Sequence, residues 1–217
     1  MKSSTQYNVS IKMDSVELEG MLELPRNAQG VVLFAHGSGS SRFSPRNQYV
    51  GRVLRENGVG TLLMDLLEES ESQDRSNVFN IDLLAARVMG AHAWLRSNKD
   101  TEDLPVGYFG ASTGAAAALL AAAKLGRDVS AVVSRGGRPD LAMEYLPQVT
   151  APVLLIVGGN DWPVISMNKE AFEMLPGTKE LKIIPGATHL FEEPGTLEQV
   201  AQLASEWFSR YLVIDEV

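Results

Sequence analysis

Short runs of consecutive apolar residues punctuate the chain at 31–35, 61–64, 106–109, 131–133 and 153–157, each close to a glycine or proline. Unbroken apolar runs of this length suit strands covered on both faces, as in a parallel sheet. Ahead of them the pattern differs. Residues 7–12 and 16–24 read as two strands, and in the second Val16, Leu18, Leu22 and Leu24 alternate with Glu17, Glu19 and Glu23. That alternation predicts a half-exposed strand at the edge of a sheet. A more mixed run at 181–184 predicts the other edge.

Between these runs the apolar spacing becomes helical. Tyr49, Val50, Val53 and Leu54 form one stripe, and Val78, Ile81, Leu84, Ala85, Val88 and Trp94 form a longer one. Residues 112–125 are rich in alanine and leucine, good helix formers with little bulk, which predicts a helix packed closely on the sheet. A last helix over 197–212 presents Val200, Leu203, Ala204, Trp207 and Phe208. Alternating strands and helices predict an α/β protein with helices on both faces of a mostly parallel sheet. With no repeat, low-complexity tract or long linker, the whole chain 1–217 reads as one domain. The acidic group Glu68, Glu69, Glu71 and Asp74 reads as a solvated loop.

Composition narrows the function. With 19 Lys and Arg against 27 Asp and Glu, the formal charge is −8, which argues against a nucleic-acid partner. The chain has no cysteine, so disulfides, thiolate metal sites and a cysteine nucleophile are excluded. Residues 1–10 lack the apolar core of a signal peptide, and the alanine-rich run 115–123 is too short to cross a bilayer. A cytoplasmic protein without membrane contact is expected.

Ligands of parallel α/β sheets bind at the carboxyl ends of the strands, so the residues after each apolar run matter most. After 106–109 comes Gly110-Ala111-Ser112-Thr113-Gly114, a G-x-S-x-G sequence placed between a strand and a helix. A serine hydroxyl becomes a nucleophile only when a histidine takes its proton and a carboxylate fixes that histidine's tautomer. Asp161 follows the strand at 153–157, and His189 follows the run at 181–184. The order Ser112, Asp161, His189 is that of a catalytic triad on this kind of sheet. Asp65 also ends a buried strand and is the competing acid. Of the other two histidines, His36 is expected to shape its loop, and His92 to be structural or exposed in mid-helix.

A tetrahedral intermediate needs two hydrogen-bond donors. The backbone N–H of Thr113 supplies one, and the loop His36-Gly37-Ser38-Gly39 supplies the other, assigned to Ser38. The same loop fails as a dinucleotide fingerprint, because Arg42 stands where the third glycine is required.

His36-Gly37, Gly110-Ala111-Ser112-Thr113-Gly114, Gly159-Asn160-Asp161 and Gly186-Ala187-Thr188-His189 together resemble the α/β-hydrolase superfamily. The short chain without a lid insertion is similar to its dienelactone hydrolase-like branch, with Ser112 where those enzymes carry a cysteine nucleophile. The resemblance extends from about Val16 onward. It implies a twisted, mostly parallel sheet of eight strands, hydrolysis of small ester or thioester substrates through an acyl-enzyme, and no metal or organic cofactor.

Two other functions use the same features: an acyltransferase with the same triad, and a hydrolase-fold binding module without catalysis. Residues 138–149 are the one candidate for a partial cover over an otherwise open site. Arginines cluster beside the expected strand tips. Arg42 and Arg46 follow the glycine loop, while Arg135 and Arg138 follow the run at 131–133. Either these arginines pair with the chain's surplus of acids or face water, or at least one, Arg135 ahead of Arg42, contacts an anionic group on a small-molecule acyl substrate.

Overall fold

The computed structural model describes residues 4–13 and 16–213. A hairpin of β1 (Ser4–Met13) and β2 (Val16–Pro25) leads into β3 (Val31–Ala35), α1 (Pro45–Glu56) and β4 (Gly60–Met64). Two single-turn helices follow, α2 (Glu69–Ser72) and α3 (Arg75–Val78), and then the long α4 (Ile81–Ser97). The chain continues through β5 (Val106–Ala111), α5 (Thr113–Leu125) and β6 (Val129–Arg135), then a kinked 3₁₀ segment at Pro139–Gln148. It closes with β7 (Val153–Gly158), α6 (Trp162–Met174), β8 (Lys179–Ile184) and α7 (Thr196–Tyr211).

All eight strands join one sheet in the order β1-β2-β4-β3-β5-β6-β7-β8. β1 and β2 pair antiparallel, as do β2 and β4, and every other neighbouring pair is parallel. The expected α/β architecture and strand count are therefore present.

The apolar runs are continuous because each strand feeds two cores. Alternate residues point to opposite faces. Leu33, Tyr108, Val132 and Leu155 pack under α4 and α5, whereas Val32, Phe34, Phe109, Val133 and Ile156 pack under α1 and α7. The sixteen-residue helix α7 covers its side with Val200, Ala204, Trp207 and Phe208. On the other side, α5 is buried from Thr113 through Ala122, and its alanines let it lie close against the strands.

Two expectations change. β2 is not an edge strand, since it lies between β1 and β4; the edges are β1 and β8. The alternation in β2 arises because Leu18, Gly20 and Leu22 face a core while their neighbours stay open, not because a neighbouring strand is missing. Helix α6 had no recognisable signal, because only Val164, Asn168 and Ala171 are buried in it and Trp162 is exposed. One narrow stripe with an asparagine at its centre is a weak hydrophobic pattern.

His92 is buried inside this scaffold at α4, its Nδ1 sharing a 2.8 Å hydrogen bond with the Tyr108 hydroxyl of β5. Burial, with the charge of Arg96, lowers its pKa to about 4 from the usual 6.5. The folded protein thus keeps His92 neutral while the unfolded chain protonates it near 6.5. Its stabilising contribution is complete above that pH and declines as pH falls from 6.5 to 4, by up to about 3 kcal/mol. His92→Gln is expected to flatten the fall in urea midpoint between pH 7 and pH 4.5; an unchanged slope would remove His92 from the account.

Candidate active site

Strand β5 passes into helix α5 through a single residue, Ser112. To make that turn Ser112 adopts φ 51° and ψ −121°, a conformation that side chains rarely occupy and that stores roughly 1–3 kcal/mol of strain. The flanking glycines have a steric reason. A Cβ on Gly114 would lie 2.2 Å from the Ala35 carbonyl oxygen, and one on Gly110 would lie 2.4 Å from Ala115 Cα. Neighbouring chain then holds the turn. The Ser112 N–H donates to the Arg135 carbonyl at 3.3 Å, and the Arg138 N–H donates to the Ser112 carbonyl at 3.1 Å.

Asp161 and His189 arrive from the tips of β7 and β8, which are in register through Gly158 and Ile184. His189 Nδ1 lies 2.6 Å from Asp161 Oδ2. With the carboxylate accepting from Nδ1–H, Nε2 is left as the basic nitrogen of the ring. The two loops are stitched together: the Asn160 N–H donates to the Ala187 carbonyl at 2.9 Å, and Asn160 Nδ2 to the Gly186 carbonyl at 3.1 Å. Glu193 braces the histidine loop from beyond, accepting the Thr188 N–H at 3.0 Å and the Thr188 hydroxyl at 2.6 Å. These bonds hold its carboxyl below the usual range. The sequence carries no signal for Glu193, since one of two adjacent glutamates in a loop makes no pattern.

Ser112 and His189 line one pocket of about 210 Å³, together with Ser38, Arg46, Arg135 and Leu190. A second pocket of about 470 Å³ lies across the glycine loop, walled by Arg42, Asp65, Leu66, Val78, Leu84 and Thr113. Gly37, Ser38 and Ser40 border both.

The remaining expected residues fall into place unevenly. Asp65 does not meet His189; it accepts the Arg42 N–H at 2.7 Å and pairs with the Arg42 guanidinium. Arg42 is thereby committed and faces the second pocket, whereas Arg46, four residues on in the first turn of α1, lines the Ser112 pocket. Arg135 lines that pocket, and Arg138 pairs with Asp140 at 2.8 Å. Thr113 opens α5, whose first N–H groups have no partner within the helix. The Ser38 N–H, however, already donates to Thr113 Oγ1 at 3.1 Å. His36 shapes this loop: Nδ1 contacts the Gly37 carbonyl at 2.9 Å, Nε2 accepts the Leu66 N–H at 3.0 Å, and burial lowers its pKa.

The segment Pro139–Gln148 is not a cover. It buries Pro139, Ala142 and Leu146 and lines neither pocket. Glu69 and Ser72 of α2 and Val78 of α3 wall the larger pocket instead. The acidic group nearby is partly structural, with Glu68 and Glu71 capping α2, Asp74 capping α3, and Glu71 bonded to Arg87 at 2.8 Å. Among the described residues no acidic or histidine cluster could hold a metal ion, and no helix is long and apolar enough to cross a membrane.

The family model for the dienelactone hydrolase family matches residues 18–212. The chain belongs to the dienelactone hydrolase family. A dienelactone hydrolase from Anabaena variabilis has a similar structure, with a TM-score of 0.94 and 59% identity, covering 96% of this chain and 99% of that one. Est1E from Butyrivibrio proteoclasticus shares the fold at a TM-score of 0.81 and 17% identity, over 94% of this chain and 98% of its own. Two Mycobacterium tuberculosis relatives bearing a provisional phosphoribosyl transferase name are 56% identical over 204 residues, or 94% of this chain. The chain spans about half of those relatives, 46% of their length. Family membership and esterase neighbours place this dienelactone hydrolase family member among the α/β-hydrolases.

Gly114→Ala tests the elbow. The added methyl must push apart α5 and the end of β3, with an expected cost of about 1–3 kcal/mol. Because the glycine loop begins at that end of β3, labelling of Ser112 by a fluorophosphonate is also expected to slow. Wild-type labelling and an unchanged urea midpoint would contradict this account of the glycine.

Proposed function

We propose that this chain hydrolyses small ester or thioester substrates through an acyl-enzyme on Ser112. The observation that carries the proposal is the 2.6 Å contact between Asp161 and His189, the histidine lining one pocket with the strained Ser112. His189 takes the Ser112 proton as the hydroxyl attacks the acyl carbon, and Asp161 holds the ring's tautomer and stabilises the imidazolium. The developing oxyanion is held by the Thr113 N–H and the Ser38 N–H, the latter passing from Thr113 Oγ1 to the stronger acceptor. His189 then protonates the leaving group, and a water it activates releases the acid. These groups need no metal or organic cofactor. A small-molecule acyl substrate fits the pocket, which is smaller than the roughly 300–1,000 Å³ of most ligand sites. A cytoplasmic setting fits the cysteine-free composition.

Acyl transfer to an alcohol or amine would use the same residues with another acceptor at the second step. The phosphoribosyl transferase name does not favour it, since it concerns proteins about twice this length and a different bond.

Ser112→Ala is expected to lower kcat on a short p-nitrophenyl ester by about 10⁶-fold with the fold retained. It should also abolish labelling by a fluorophosphonate, which a pure binding module would never show. Equal turnover by wild type and variant would dismiss the nucleophile. Asp161→Asn is expected to cost about 10⁴-fold in kcat, by mispoising His189. Asp65→Asn should cost far less, and the reverse ranking would reassign the acid.

A further inference from the structure

We propose that the 470 Å³ pocket across the glycine loop receives the acyl chain of the substrate, while the leaving group stays in the smaller Ser112 pocket. This rests on the hydrolase function proposed above and names its substrate class: esters or thioesters of uncharged, apolar carboxylic acids of medium length.

The position of the proton donor assigns the two sides. His189 must come within hydrogen-bond reach of the leaving-group atom to protonate it, so the leaving group lies where His189 does. His189 lines the 210 Å³ pocket with Ser112 and does not line the larger one. The acyl carbon carries its chain away from the leaving group, towards the other side. Gly37, Ser38 and Ser40 border both pockets, so a chain that passes the Ser38 N–H enters the larger one. Thr113, the other proposed oxyanion donor, walls the larger pocket as well. Size points the same way. The larger volume lies within the roughly 300–1,000 Å³ of most ligand sites and the smaller one below it, so a longer acyl chain has to leave the Ser112 pocket.

The lining decides the chemistry of that chain. Buried Leu66 and Leu84 and half-buried Leu67 and Val78 give the larger pocket an apolar wall. Its arginine, Arg42, is already paired with Asp65, and Glu69 stands exposed beside it. A carboxylate or phosphate there would meet a neutralised cation and a repelling acid, whereas an uncharged chain loses nothing. The walls are also held in place before a ligand arrives. His36 joins the glycine loop to the exit of β4, with Nδ1 on the Gly37 carbonyl and Nε2 accepting the Leu66 N–H. Arg42 joins the same two segments further along, its N–H donating to Asp65 at 2.7 Å. A pocket fixed in this way orders little on binding, which favours a weakly held apolar group.

The test lengthens the substrate on one side at a time. p-Nitrophenyl acetate, butanoate and hexanoate extend the acyl group, and methyl, butyl and hexyl acetate extend the alcohol. In the acyl series kcat/KM is expected to rise about tenfold at each step, as two more methylenes leave water, with no comparable rise in the alcohol series. The p-nitrophenyl half-ester of adipic acid, a similar chain ending in a carboxylate, should forfeit the gain. Val78→Trp fills the pocket from α3 and should lose far more on the hexanoate than on the acetate. Should that variant fail to fold, Ser72→Trp on the exposed face of α2 carries the same comparison. A flat acyl series, a rise on the alcohol side instead, or equal losses on hexanoate and acetate would overturn the assignment.

A binding measurement separates this from the hydrolase proposal. In Ser112→Ala, hexanamide is expected to raise Tm more than acetamide does, and adding Val78→Trp should abolish the difference. That result in a protein whose wild type turns over no ester would support the apolar pocket and sink the hydrolase proposal. Ester turnover with a flat acyl series and no rise in Tm would do the opposite.

Discussion

The close approach of α5 to the carbonyl end of β3 governs the rest of this molecule. Gly114 sits so near the Ala35 and His36 carbonyls that no side chain is admitted there, and the helix must begin immediately after Ser112. A strand that turns into a helix over one residue forces that residue into strained backbone. The strain is offset by the buried alanine face of α5 and by backbone bonds joining Ser112 to the last residue of β6 and to Arg138 just after it. Relaxing the contact would let the serine turn away from the pocket that it shares with His189.

A second constraint binds the tips of β7 and β8. His189 sits on a loop without regular structure, yet it meets Asp161 at 2.6 Å because Asn160 ties that loop to the tip of β7 and Glu193 braces it from within. The serine and the acid–histidine pair are therefore placed by separate devices, one steric and one hydrogen-bonded. Both depend on the register of parallel strands, which sets Ala35, Gly110 and Ser134 at one level of the sheet.

Charge is distributed by the same logic. Most cations at this end of the sheet are neutralised within a few ångströms, and their partners come from adjacent loops. Arg135 differs because it ends a strand flanked there by Ala111 and Ile156, and among the described residues no acid pairs with it. Burial and Arg46 pull its pKa down to about 10, which still leaves it cationic at neutral pH.

The pattern of residues determined the sheet, its helical layers and the chain order of Ser112, Asp161 and His189, because unbroken apolar runs and glycine-flanked turns are local consequences of burial and sterics. Membership in an α/β-hydrolase family was legible for the same reason, in four short segments at strand tips. Helix α6 was not, since Val164, Asn168 and Ala171 are too few to make a stripe. Nor was the place of β2 inside the sheet, because alternation reports which faces are covered and says nothing of which strand lies alongside. The tertiary structure alone decided which arginine has a counter-charge, which acid meets His189 and which segments wall the pockets. Those outcomes depend on distances between residues far apart in the chain, and pairing over a few ångströms leaves no periodic trace in the sequence.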